Sequence, residues 1–203
     1  MNEKTKEYLD RATSIFMRLG IRSVTMDDIA RELGVSKKTL YVHFKDKNDL
    51  IKQIMYLKIE EDQFSCTEVQ ASSTNAIDEL FGIIQLVIEH LSKMNPSVFL
   101  DLQKYHPDAW SVITNHKSVF VTDMLLKNVE RGIEEGIYRE ALDADIISRL
   151  FVGMTDLIFD GKTFPWPQYT LTRVYTEIIS FQIHGMANKK GLEYLQKKEA
   201  KND

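Results

Sequence analysis

The sequence predicts an all-α chain, on three observations. Only 9 Gly and 4 Pro fall in 203 residues, so few positions interrupt a helix. Apolar residues recur at spacings of three and four in segment after segment, and long period-two alternations are few. Two short helix signatures stand back to back between residues 25 and 50, with one glycine between them. A 43% hydrophobic content supplies a core for one ordinary domain, or for a small one plus a medium one.

Helix one is expected from about Lys4 to Leu19, where Leu9, Ala12, Phe16 and Leu19 form an inward stripe that Gly20 stops. The linker Ile21-Arg22-Ser23-Val24 delivers Thr25, an N-cap whose bond Asp28, three residues on, can return. Ile29, Ala30 and Leu33 give that second helix one apolar face, and Gly34 sits where a left-handed residue must end it. Ser36 caps a third helix, about Lys37 to Phe44, which buries Leu40 and Phe44 and leaves Lys37, Lys38, Thr39, Tyr41 and His43 to project. Two helices joined by so tight a turn form a helix-turn-helix.

Lys37 and Lys38 stand at the helix end where the macrodipole disfavours cations by about 0.3 to 1 kcal/mol each. The simplest account is an anionic partner facing that end, and a helix entering a DNA major groove meets one. The bland alternative is a helical hairpin with a solvated basic end. Asp46 is placed to cap a fourth helix through Leu50, Ile54 and Leu57, and Lys47 in its first turn is a third cation at an unfavourable end.

Beyond that helix, Cys66 to Thr74 reads as a loop marking the domain boundary. Asn75 caps a helix with the face Ile77, Leu80, Ile84, Ile88 and Leu91. Pro96 and Pro107 bracket a short helix, and Pro107 opens a long one that runs to about Gly132 and ends in the segment 132–137. Asp143 or Asp145 starts a helix through Phe159 with two apolar faces, one of Ile146, Leu150 and Leu157, the other of Ile147, Phe151, Met154 and Ile158. The stretch from about Gln168 to Met186 is also apolar nearly all round. Two such helices, doubled by a twofold axis, would build an intermolecular four-helix bundle, the alternative being the centre of a monomeric core. The tail from Asn188 to Asp203 looks frayed and solvated.

The net charge of −4 argues at first against nucleic acid, but its distribution does not. Residues 1–50 hold ten Lys or Arg against eight Asp or Glu, while the remainder is acidic. Cys66 is the sole cysteine, which excludes an intrachain disulfide and suits a reducing interior. With no apolar run long enough for a span and no export signal at the N-terminus, a cytoplasmic location is expected. The histidines share no helical face, and no phosphate loop or nucleophile elbow is present, so no metal, no cofactor and no enzymatic activity are expected.

Residues 8–50 resemble the DNA-binding domain of the TetR family of transcriptional regulators. The likeness is carried without a gap by Leu9, Ala12, Phe16, Gly20, Thr25, Ile29, Ala30, Gly34, Val35, Ser36, Thr39, Leu40, Tyr41, Phe44, Lys47 and Leu50. It implies a three-helix head whose third helix reads the major groove, joined by a fourth helix to an all-helical ligand-binding and dimerisation domain. Domains at 1–48 and 49–203 follow. The resemblance also implies phosphate contacts at Thr25, Tyr41, His43 and Lys47 and base-facing roles for Lys37, Lys38 and Thr39. Ser36, the cap, completes the expected DNA-binding set. Many members have a small residue where this chain has Lys38, so the operator cannot be carried over.

Family members usually hold a small effector within the regulatory domain, which here nominates Phe99, Leu102, Tyr105, Trp110, Phe120, Met124, Met154 and Phe159, with Trp166 less directly placed. Each would serve equally in an ordinary packed core. The expected protein is a homodimeric repressor that binds a near-palindromic operator in double-stranded DNA and is released by a small apolar effector. The alternative is a DNA-binding structural or occlusion factor that answers to no effector.

Overall fold

The computed structural model describes residues 2–159 and 161–200, Glu199 by its backbone. Among these, all regular structure is helical: α1 Glu3–Leu19, α2 Met26–Leu33, α3 Lys37–His43, α4 Lys47–Ser72, α5 Ala76–Ser92, α6 Ser97–Tyr105, α7 Pro107–His116, α8 Thr122–Glu134, α9 Ala144–Asp156, α10 Leu171–Met186 and α11 Lys189–Glu199. A π-helical segment, Lys117–Val121, continues α7 into α8, and a 3-10 turn, Leu157–Phe159, ends α9.

The chain forms two compact units, residues 1–62 with 93–116 and residues 63–92 with 117–203. Residues 93–116 join the first unit because Val98 and Leu102 of α6 and Ala109 of α7 share one buried cluster with Leu9, Phe16, Ile29, Leu40 and Leu50.

In the second unit α5, α8, α9 and α10 pack together around Ile77, Leu80, Leu125, Val129, Ile179 and Ile183. Glu79 is wholly buried and pairs with Arg131 at 3.0 Å, which adds an ion pair to the apolar contact between α5 and α8. The two faces read in α9 sort as expected: Phe151 and Ile158 are buried, whereas Ile146, Leu150 and Leu157 are exposed. Phe181 of α10 is exposed as well, at 72%.

Two expectations are corrected. The loop placed at Cys66–Thr74 is helix as far as Ser72, because nothing in Cys-Thr-Glu-Val-Gln-Ala breaks a helix and Val69 has a seat. That seat is Gly82 of α5, where a Cβ would come within 2.6 Å of Val69 Cγ1. The tail is not frayed over its described part. Asn188 caps α11, Leu195 is fully buried, and the Tyr194 hydroxyl donates to Asp78 at 2.7 Å while Lys198 pairs with the same carboxylate. Residues 201–203 of that stretch lie outside the described residues.

The long helix from Pro107 passes Gly132 and ends at Glu134, with Gly136 in the left-handed region at φ 64°. Gly132 is required for a different reason: a Cβ there would run into the ring of the buried Tyr138.

Candidate nucleic-acid interface

The helix-turn-helix is assembled by its caps. The Thr25 hydroxyl accepts from Asp28 N–H at 3.2 Å, and Asp28 Oδ2 accepts from the Thr25 N–H at 3.0 Å and from its hydroxyl at 2.6 Å. These bonds, with the Arg31 charge next to them, hold the Asp28 carboxyl below the usual carboxylate range. Gly34 ends α2 at φ 71°, a conformation costly for any residue with a Cβ. Ser36 Oγ then accepts from Thr39 N–H at 3.0 Å and starts α3. Leu40 and Phe44 lie in the core at 0% and 1% exposure, so the remaining faces of this seven-residue helix are set.

At about 100° per residue, the positions directly opposite Leu40 are Lys38 and Val42, with Lys37 and Tyr41 on one flank and Thr39 and His43 on the other. Lys37 is exposed and pairs with Asp27 at 2.7 Å, which raises its pKa and leaves the ammonium at the surface. Lys38 projects freely and Tyr41 is 43% exposed. Thr39 is half-buried, its hydroxyl 2.8 Å from Ser36 Oγ. Thr25, Ser36, Lys37, Lys38, Thr39 and Tyr41 therefore belong to the cap-and-helix surface of the head.

His43 and Lys47 are turned elsewhere. His43 Nδ1 meets Thr5 Oγ1 of α1 at 2.8 Å, and its ring stands edge-on to the buried Tyr8 with centroids 5.1 Å apart. The Lys47 ammonium reaches back over the α1–α2 linker, donating to the carbonyls of Ile21, at 2.6 Å, and Val24. It is half-buried, lies 5.8 Å from the centroid of the Phe16 ring, and burial pushes its pKa down. The cation at the start of α4 thus has a local reason, two carbonyls of a non-helical linker that turn toward it.

The same linker is gripped from α6, which sequence reasoning assigned to a ligand pocket. Asp101 Oδ2 accepts from the Arg22 N–H at 3.0 Å, Asn95 N–H donates to the Met17 carbonyl at 2.9 Å, and the Arg22 guanidinium lies 5.4 Å from the Tyr105 ring centroid. His106, just past α6, bonds Asn48 Oδ1 through Nδ1 at 2.6 Å, and burial pushes its pKa down, with Lys47 adding to the fall. Asp101 lies 79 positions from Arg22, and no local pattern announces the pair.

The nominated effector residues divide between the units. Phe99, Leu102, Tyr105 and Trp110 belong to the first and Phe120, Met124, Met154 and Phe159 to the second. Leu102 is core at 1% exposure, Trp110 packs on the same cluster with its ring 6.3 Å from that of Phe99, and Tyr105 is exposed beside Arg22. In the second unit Met124 is buried, Met154 Sδ accepts from Gln182 Nε2 at 3.4 Å, and Phe159 lies 5.9 Å from the Lys117 ammonium. Trp166 is exposed. Among the described residues no helix is long and apolar enough to cross a membrane, and no cluster of three His, Cys, Asp or Glu could hold a metal ion.

Residues 9–54 match the sequence profile of the bacterial regulatory proteins of the tetR family. The chain is 24% identical over 156 residues to the HTH-type transcriptional repressor KstR2 of Mycobacterium tuberculosis, covering 73% of this chain and 76% of that protein. The solved structure of that ketosteroid transcriptional regulator matches with a TM-score of 0.60 at 22% identity, over 93% of this chain and 97% of its own. The fatty acid degradation regulator FadR of Bacillus halodurans matches with a TM-score of 0.70 at 17% identity, over 90% and 95% respectively.

Proposed function

The chain belongs to the TetR family and is a DNA-binding transcriptional regulator, and from that premise we propose that it is a homodimeric repressor of a near-palindromic operator. The observation that carries the reading is α3, a short helix pinned by Leu40 and Phe44 and capped by Ser36, which turns Lys38 and its neighbours outward. Such a helix enters a major groove with backbone-positioning groups at its edges and base-reading groups at its centre. On this reading Thr25, Ser36 and Tyr41 approach phosphates, Lys37, Lys38 and Thr39 face bases, and His43 and Lys47 position the head without touching DNA. The weak basicity of the first fifty residues and the acidic remainder favour approach by that surface.

A second copy is proposed to cover Ile146, Leu150, Leu157 and Phe181 of α9, its 3-10 turn and α10, an apolar surface that one chain leaves to water. Two heads related by a twofold axis then read half-sites about one helical turn apart, or a multiple of it. Release by a small apolar effector agrees with relatives that are, by name, regulators concerned with ketosteroids and with fatty acid degradation. The buried Met124 and half-buried Met154 and Phe159 supply adaptable apolar surface for it in the second unit. The protein is proposed to act in the cytoplasm.

Selection of bound sequences from random duplex DNA tests the proposal. The expected product is a motif with twofold symmetry and one fixed half-site spacing. Recovery of unrelated sequences, or of a single unsymmetrical site, would overturn it.

A further inference from the structure

Val42 is 76% exposed, more than any other large hydrophobic side chain among the described residues. A lone exposed valine is ordinary on a protein surface. This one has no polar duty, sits in a helix it favours less than Lys, Gln or Arg would, and stands with Lys38 on the line opposite the Leu40 anchor. Selection for helix stability alone would have filled the position with a long polar residue. The position is also the outermost part of α3, where a docked duplex would come nearest.

Among the base edges that a major groove presents, one group is apolar, the C5 methyl of thymine. We propose that Val42 is a specificity-determining residue that reads a thymine methyl in each half-site, an inference that rests on the DNA-binding reading above. Lys38 lies four residues earlier, about 6 Å along the helix axis. At about 3.4 Å per base step that distance places the thymine within about two base pairs of the base Lys38 addresses. One helix face thus pairs a donor for a purine acceptor with an apolar surface for a methyl.

The test begins from the operator selected by the wild-type chain. Each thymine is replaced in turn, in both half-sites, by deoxyuridine, which removes the methyl and leaves every hydrogen-bonding group. Losing one buried methyl corresponds to about fourfold in affinity per half-site, so about fifteenfold for the pair. One symmetry-related thymine pair should show this loss with the wild type and with Val42→Ile, and none with Val42→Ser, whose thermal unfolding checks that the exposed substitution leaves the fold intact. If no thymine is methyl-sensitive in the wild type, or if Val42→Ser keeps the same sensitivity, the proposal is overturned while DNA recognition itself stands. Failure to select any operator is a different result, which removes the regulator reading and this inference with it.

Discussion

Replacing Lys47 by methionine separates the two roles open to its ammonium group. Methionine preserves an unbranched stem over Phe16 and deletes the bonds to the Ile21 and Val24 carbonyls. A hydrogen bond to a charged group contributes about 1.5 to 3 kcal/mol. Two of them on a half-buried side chain, offset by the cost of desolvating the ammonium, leave about 1 to 3 kcal/mol in the folded state. For a chain of this size each kcal/mol moves the melting temperature by about 2 to 4 °C, so thermal unfolding should show a fall of about 2 to 12 °C.

DNA affinity should fall as well, because Thr25 starts α2 one residue beyond Val24 and shifts with the linker. The salt dependence of that affinity identifies the cause. A lysine lost from a phosphate lowers the slope of log K against log salt by about 0.9, hence by about 1.8 in a dimer. Lys47→Met should leave the slope unchanged while the melting temperature drops. An unchanged melting temperature with a slope lower by nearly two would refute the linker-clamp argument and put Lys47 back on the phosphates.

On the reading surface, Lys38→Ala should change the sequence preference recovered by binding-site selection, while Tyr41→Phe should weaken all duplexes alike, by up to about tenfold for the hydrogen bond lost in each half-site. Leu150→Glu, placed on the exposed face of α9, should shift the protein to monomer in sedimentation and abolish tight operator binding while leaving the far-ultraviolet circular dichroism of the monomer intact. His106 gives a pH signature. Burial holds its pKa below the ordinary 6.5, so the unfolded chain takes up the proton first and stability falls as pH drops below about 6.5, levelling off once the folded value is passed. Lys47 and Asp101 are the charges that face it. His106→Gln should flatten that fall in urea unfolding between pH 7 and 5, though not erase it, since burial lowers His116 in the same direction.

What the sequence made legible was local. Thr25 with Asp28, Gly34 with Ser36, and the Leu40–Phe44 spacing announce the head because each acts within four residues, and the structure has each where the spacing requires it. The two faces of α9 were legible for the same reason. The bonds from Lys47 to the linker were not legible, because helix-dipole reasoning evaluates an end of a helix and says nothing of where a long side chain goes. The signal that could have found them was the linker's own backbone, whose carbonyls at Ile21 and Val24 had no helical partners. The tail was misread because its lysines looked like solvation, whereas Lys198 answers Asp78 from 120 residues away. Asp101 and His106 were invisible for that same reason of distance.

The long-range bonds in the first unit also bear on how an effector signal would arrive. The chain crosses between the units at 62/63, 92/93 and 116/117, so a change in the second unit has three covalent routes into the first. One runs along α4, whose first turn carries Lys47 and Asn48; the other two are the ends of the segment that holds α6 and α7. These elements converge on the same four linker residues: α4 takes the carbonyls of Ile21 and Val24, α6 takes the Arg22 N–H, and His106 joins the two elements through Asn48. A rearrangement that moved the start of α4 or α6 would either carry the linker with it or break a bond to it. The linker delivers the N-cap of α2, and α2 leads through Gly34 to α3, so on the proposed function a displacement at Asp101 or Lys47 would reach α3 by that path. An effector would then release the operator by binding the displaced form more tightly than the docked one.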